Sequence, residues 1–271
     1  RKKIVQIEEA RFLPKAFQVF TVGQQIANHL VREYDIKDPI VLYNTPPLRK
    51  KQWPNQSASA ELRSLRRDIS VSNEAIVCAY TGNIAVGRGC EDIIEALSSL
   101  RKEAVFENSE LLHFVMIGRV TDEVREKMLN LAVSFSVMDR VHFLEPVPAQ
   151  SVVEYISDAD ISIIPVQARA LSYEYAMPNK LFEAALARLP ILGTDLTEMG
   201  PFIRNNGLGT TFISGNVADL TEKLVMLCCQ REKYTGAHRD KFIESFCWES
   251  QEKKLLDVFE EIKSKRSLAH S

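Results

Sequence analysis

Short apolar runs and amphipathic stretches alternate along almost the whole chain. Runs of strand length lie at residues 17–21, 40–42, 75–80, 112–117, 141–144, 161–165, 190–193 and 210–213. Most are continuous rather than alternating, which suits strands buried on both faces of a parallel sheet. Between them, residues 23–34, 90–100, 122–136, 151–157, 179–188 and 216–229 carry the 3.6-residue period of a helix. Ile26, Leu30 and Val31 share one face of the first, and Ile93, Ile94 and Leu97 one face of the second. Repeated β-α-β-α order predicts an α/β fold, a Rossmann-like doubly wound parallel sheet.

The pattern breaks at residues 45–55, where Pro46, Pro47 and Pro54 accompany Arg49, Lys50 and Lys51. Neither helix nor strand survives such a run, so it reads as a linker. Three parts are expected. Residues 1–50 (helix, strand, helix, strand) are too short for a core of their own. Residues 51–248 hold six strand candidates and can be a complete domain. Residues 249–271 place Leu255, Leu256, Val258, Phe259 and Ile262 at helical spacing and look like a docking helix with a tail.

Composition narrows the function classes. The 271 residues are 45% hydrophobic and 26% charged, which fits a packed core rather than extended disorder. Lys and Arg number 34 against 36 Asp and Glu, a net charge of -2 that argues against a general nucleic-acid binder. No apolar run approaches the ~20 residues of a membrane span, and Arg1-Lys2-Lys3 leads into no signal-peptide core. The five cysteines show no metal or redox spacing, so free thiols in a reducing, cytoplasmic compartment are expected. The chain opens on Arg1 rather than Met, which suggests a piece of something longer.

In open α/β sheets ligands bind beyond the carboxyl ends of the strands, so the segment after each strand carries the chemistry. After residues 75–80 comes a turn with Gly82, Asn83, Gly87, Arg88 and Gly89, followed by a helix. Such glycines admit a ligand close to the backbone, and Arg88 at a helix entrance suits a phosphate. The Walker and dinucleotide spacings are both missing. An ordinary Gly-rich turn with an exposed Arg fits these residues equally well. Arg119, after 112–117, reads as a surface charge. His142 reads as a structural histidine. The proline-stiffened segment around Phe143, Leu144, Glu145 and Val147 forms a wall able to read a nucleobase edge.

The segment 172–183 is the most informative. Pro178 suits the first position of a helix. The amides of Asn179, Lys180 and Leu181 would then point at an anion such as a diphosphate. Glu183, on the same helical face as Asn179 and Lys180, could accept hydrogen bonds from two vicinal hydroxyls, as on a ribose. A capped helix with solvated charges is the plainer alternative. No nucleophile–base set and no metal-ligand motif appears; Asp158-Ala159-Asp160 precedes a strand and reads as a helix-to-strand junction.

Taken in order, several segments resemble the C-terminal half of a GT-B glycosyltransferase. They are Thr81-Gly82-Asn83 with Gly87-Arg88-Gly89, Phe114 to Gly118, Val141 to Val147, Tyr155 to Asp160, Pro178 to Glu183 and Leu189 to Leu192. Order and spacing are similar to those of the retaining, nucleotide-sugar-dependent family four, the glycosyl transferases group 1. The resemblance runs through residues 75–248. Segments 17–27 and 41–46 resemble the end of that family's N-terminal, acceptor-binding domain, which implies that residues 1–50 are the remnant of a second Rossmann-like domain whose earlier part is missing.

The resemblance implies roles. Gly82, Asn83, Arg88, Gly89, Asn179, Lys180 and Leu181 would hold the donor diphosphate, with Arg88 where the family carries a Lys and Asn83 where it carries an Arg. Glu183 matches the second glutamate of the E-x7-E motif and would hold the ribose. Phe143, Leu144, Glu145 and Val147 would lie beside the base. The first motif glutamate falls on Tyr175, with Glu174 one residue away, and both are expected near the transferred sugar. The implied substrate is a UDP-, GDP- or ADP-sugar, with no metal or other cofactor and with catalytic groups in the missing part. A glycan or lipid-linked acceptor is implied, as is contact with the inner face of a membrane. Two other classes share the fold: a nucleotide-sugar 2-epimerase-like isomerase, for which His142 is the cleft candidate, and a non-catalytic transferase-like binding protein, which Tyr175 and Asn83 keep open.

Overall fold

The computed structural model describes residues 2–48, 64–102, 111–236 and 238–269. Of the expected linker, residues 49–55 lie outside these. The N-terminal segment contains α1 (Lys2–Phe12), β1 (Phe20–Thr21), α2 (Gln24–Tyr34) and β2 (Ile40–Val41). β1 and β2 pair in parallel. There follow α3 (Leu65–Asp68), β3 (Ile76–Thr81), α4 (Cys90–Lys102), β4 (Leu112–Ile117), α5 (Asp122–Ser134), β5 (Val141–Leu144), α6 (Val152–Ile156) and β6 (Ile161–Ile164). The remainder is α7 (Leu171–Glu174), α8 (Asn179–Leu186), β7 (Ile191–Thr194), α9 (Met199–Asn205), β8 (Gly209–Phe212), α10 (Val217–Gln230), α11 (His238–Phe246) and α12 (Trp248–Ala269).

β3 to β8 form one parallel sheet in the order β5-β4-β3-β6-β7-β8. Every residue of β3 is buried, which explains why its run is continuous rather than alternating. The two faces are still distinct. Ile76, Cys78 and Tyr80 pack with Phe114, Met116 and the inner faces of α4 and α10. Val77 and Ala79 turn the other way, toward Val115, Ile117, Tyr155 and Ile156. A third cluster joins β6 and β7 to α8, α9 and α11 through Phe182, Ile191, Ile203 and Phe242.

The strand order reverses between β3 and β6, neighbours that pair Cys78 with Ile161. At this switch point, at the strands' carboxyl ends where ligands of open α/β sheets bind, the loop after β3 meets the loops after β6.

Several elements are shorter than their sequence patterns. The strand expected over 17–21 is only Phe20–Thr21. The helix expected over 179–188 ends at Leu186, because Arg188 takes a left-handed φ of 62°. There the Arg188 and Leu189 amides fold back onto the Ala185 and Ala184 carbonyls, a Schellman closure formed without glycine. α9 and α11 were not anticipated. α9 opens Met199-Gly200-Pro201, residues that hide a helical pattern, and α11 is largely polar.

Candidate functional site

At the switch point the loop after β3 lies against the end of β6. Gly89 has a φ of +84°, and a Cβ there would stand 2.1 Å from the Pro165 carbonyl oxygen. Only glycine allows this approach. The amide of Gly87 donates to Glu91 Oε1 at 2.7 Å, so the first turn of α4 holds its own entrance loop. Arg88 reaches toward the Tyr173 ring, 5.9 Å from its centroid, and so bridges the two loops. Asn83 is exposed, and its carbonyl accepts from the Tyr80 hydroxyl at 2.8 Å.

The N-terminus of α8 lies beside the loop after β3, where Lys180 Nζ would meet a Cβ at Gly82 at 3.4 Å, with one correction to the sequence reading. Pro178 is the N-cap, with an extended ψ of 144°, not the first helical residue. Its carbonyl accepts the Leu181 amide at 2.9 Å. Leu181 therefore offers no free amide, and its side chain is buried in the core. The reason is local: an extended cap turns its own carbonyl inward to the third amide of the helix. The amides of Asn179 and Lys180 have no acceptor among the described residues.

Lys180 and Glu183 point to the loop after β3. Lys180 Nζ lies 3.4 Å from the centroid of the Tyr80 ring. Burial brings its pKa down to about 7; Cys90 and Glu183 pull it up and Arg88 pushes it further down. Glu183 Oε2 accepts from Thr81 Oγ1 at 3.3 Å. Burial raises the Glu183 pKa, opposed by that hydrogen bond and by Lys180. A cation and a carboxylate, both partly desolvated and one turn apart, thus stand beside two unpaired helix amides. That combination suits a ligand carrying both an anion and hydroxyls.

The wall beyond β4 and β5 is laced by backbone bonds. Gly82 N donates to Ile117 O at 2.9 Å, Gly118 N to Leu144 O at 3.0 Å, and Ile84 N to Arg119 O at 2.9 Å. Arg125 lies over Phe143 at 5.2 Å and pairs with Glu145 at 3.6 Å. Leu144 and Val147 pack inward instead, against the core. Arg119 is exposed.

Glu174 and Tyr175 diverge. Glu174 Oε2 accepts from Thr197 Oγ1 at 3.0 Å, whereas the Tyr175 ring lies 6.4 Å from the His29 ring of α2. His142 is tied to His113, Nε2 to Nδ1 at 3.0 Å, across β5 and β4. Asp160 is bound by Arg66 at 2.6 Å and by the Val77 amide at 2.8 Å, and Asp158 accepts from Ser64 Oγ at 2.6 Å. Among the described residues no group of three or more His, Cys, Asp or Glu is placed to hold a metal ion. No helix there is long and apolar enough to cross a membrane.

Sequence reasoning missed Tyr80, Thr81 and Arg125. Tyr80 and Thr81 close a strand at the carboxyl end where ligands sit, a signal that was available. Arg125 gave none, since it lies in an ordinary amphipathic helix.

Known proteins share this architecture. A glycosyltransferase from Rickettsia africae ESF-5 is 15% identical with a TM-score of 0.75, covering 96% of this chain and 67% of its own. Sucrose-phosphate synthase from Thermosynechococcus elongatus is 13% identical with a TM-score of 0.71, over 98% of this chain and 63% of its own. Anabaena HepE, solved in complex with UDP and glucose, is 13% identical with a TM-score of 0.73, over 96% and 66%. The chain thus spans about two thirds of the length of these structures. No curated protein matches the sequence. The fold is that of the C-terminal portion of a GT-B glycosyltransferase. The profile of the glycosyl transferases group 1 matches residues 75–230, more than half of the chain, and the chain belongs to that family.

Proposed function

We propose that this chain binds a nucleoside diphosphate sugar and is the donor half of a retaining transferase that passes the sugar to a glycan or lipid-linked acceptor. The observation that carries the reading is the cluster at α8, where Lys180, the Asn179 and Lys180 amides and Glu183 face Thr81 and Tyr80. Arg88, Lys180 and the helix end would hold the diphosphate and stabilise it as it leaves. Glu183 would take the ribose hydroxyls, and Phe143 and Glu145 would flank the base. The relative solved with UDP and glucose makes UDP the first nucleotide to test.

Residues 1–50 belong, in this reading, to the acceptor domain, 51–248 to the donor domain and 249–271 to a helix docked on both. Contacts to the first of these parts support the docking: Tyr43 N donates to Gln251 Oε1 at 3.2 Å and Leu48 N to Glu249 Oε2 at 3.0 Å. Work in the cytoplasm, with peripheral contact to the inner membrane face, is part of the same proposal. His142, the candidate for epimerase chemistry, has its Nε2 paired with His113 Nδ1 at 3.0 Å, which favours transfer over that alternative.

Calorimetry of the chain with UDP, GDP and ADP tests the reading. One nucleotide is expected to bind, and Glu183→Ala to weaken it at least ~10-fold, the worth of a hydrogen bond to a charged group. Absence of binding by all three, or an unchanged affinity in the variant, sinks it.

A further inference from the structure

We propose that Glu198 is a positioning residue that latches α2 over the sugar end of the donor site; this rests on the donor-site reading above. The starting point is a helix with nothing of its own to cap it. α2 has 11 residues, and its N-cap is Gly23, which has no side chain to offer the first amides. Those amides are met from far along the chain. Gln24 N donates to Glu198 Oε1 at 2.7 Å and Gln25 N donates to Glu198 Oε2 at 2.5 Å, across 174 and 173 residues. Both carboxylate oxygens are thus engaged by the positive end of one helix.

Glu198 is only 8% exposed and has no ion pair among the described residues. The two partners therefore depend on each other. Parted, a carboxylate and two helix amides would each need water in their place. Gly23 packs beside this contact: a Cβ there would stand at ordinary van der Waals distance from the Glu198 carboxyl carbon, 3.5 Å, and from the Tyr175 carbonyl oxygen, 3.6 Å.

The latch sits next to the groups expected around the sugar. Glu198 N donates to the Glu174 carbonyl at 3.3 Å. On the α2 side His29 lies against Tyr175, and Asn44 Nδ2 donates to Asn179 Oδ1 at 2.9 Å, at the phosphate-facing end of α8. Glu198 thereby connects α2 with Glu174, while His29 and Asn44 make the contacts to Tyr175 and Asn179. An apolar seam would hold these parts together without direction. A two-oxygen contact to two defined amides sets one distance and one orientation, and can release and re-form as a unit.

Amide hydrogen exchange on this chain, read at Gln24 and Gln25 by NMR, tests the latch. In Glu198→Ala their exchange is expected to accelerate about tenfold or more, with the downfield shift of carboxylate-bonded amides lost. In Glu198→Gln, which keeps one carbonyl oxygen, the acceleration is expected to be smaller; this variant also carries the test if Glu198→Ala fails to fold. UDP affinity is expected to stay within about threefold in both, because the latch touches neither the phosphate nor the ribose groups. Unchanged exchange in both variants overturns the proposal, and so does a UDP affinity that falls as far as in Glu183→Ala, which would make Glu198 part of the nucleotide site. If the unmodified chain binds no nucleotide while the Gln24 and Gln25 amides still respond, the donor-site reading fails and the contact is only structural.

Discussion

Lys180 Nζ rests on the face of Tyr80, 3.4 Å from the ring centroid, so a partly desolvated ammonium waits beside two free helix amides. Its pKa of about 7 is set by burial against the opposing pull of Cys90 and Glu183 and the push of Arg88. A diphosphate docked there favours the charged form. Binding above pH 7 therefore takes up a proton. UDP affinity is expected to fall from about pH 8 to about pH 9.5, by up to ~10-fold per pH unit. Calorimetry in two buffers of different ionisation enthalpy counts the proton. Lys180→Arg, which stays charged, should bind without that uptake.

Gly89 and Gly215 make an internal comparison. Both have left-handed φ, +84° and +73°, but a Cβ at Gly89 meets the Pro165 carbonyl while one at Gly215 meets nothing within 4 Å. Gly215→Ala is expected to cost the conformational strain alone, about 1–2 kcal/mol. Gly89→Ala adds overpacking and should cost about 2–5 kcal/mol, with weaker nucleotide binding. Urea midpoints of the two variants check the difference; equal losses would refute the role given to Gly89.

The His113–His142 pair predicts acid sensitivity. Burial and the neighbouring His113 push His142 down to about 4, with Asp139 opposing, and burial also lowers His113. Both sit below their unfolded value, so the unfolded chain binds more protons between about pH 6.5 and about pH 4. Stability is lost as pH falls through that window. His142→Gln should flatten this part of the curve. Denaturant midpoints at a series of pH values give the slope.

Arg239 is fully buried with no carboxylate partner among the described residues, donating from Nε to Tyr234 O at 2.7 Å and from Nη2 to Leu189 O and Leu208 O, each at 2.8 Å. Burial lowers its pKa to about 10, with Arg188 adding to the effect. It ties the entrances of β7 and β8 to α11. Arg239→Lys cannot span three carbonyls and should destabilise by about 2–4 kcal/mol. A thermal midpoint unchanged from the parent would contradict this.

The sheet was legible because of its burial. Strands covered on both faces must be continuous apolar runs, and Ile76–Thr81, Leu112–Ile117 and Ile161–Ile164 announce themselves that way. Glu183 and Lys180 were legible as one helical face, since a three-residue spacing is a local fact. The Leu181 amide was misplaced because one torsion, the ψ of Pro178, decides between cap and first turn.

Local order along the chain was enough for the α/β class, the Gly-rich turn and the helix that bears Glu183, because propensity and periodicity act over a few residues. The strand order, the seat of Lys180 on Tyr80, the pairing of His142 with His113 and the grip of Glu198 on α2 came only with the folded chain. Each joins residues far apart in sequence, and their meeting depends on how layers pack and where the sheet reverses. No repeat or spacing in the sequence records that distance.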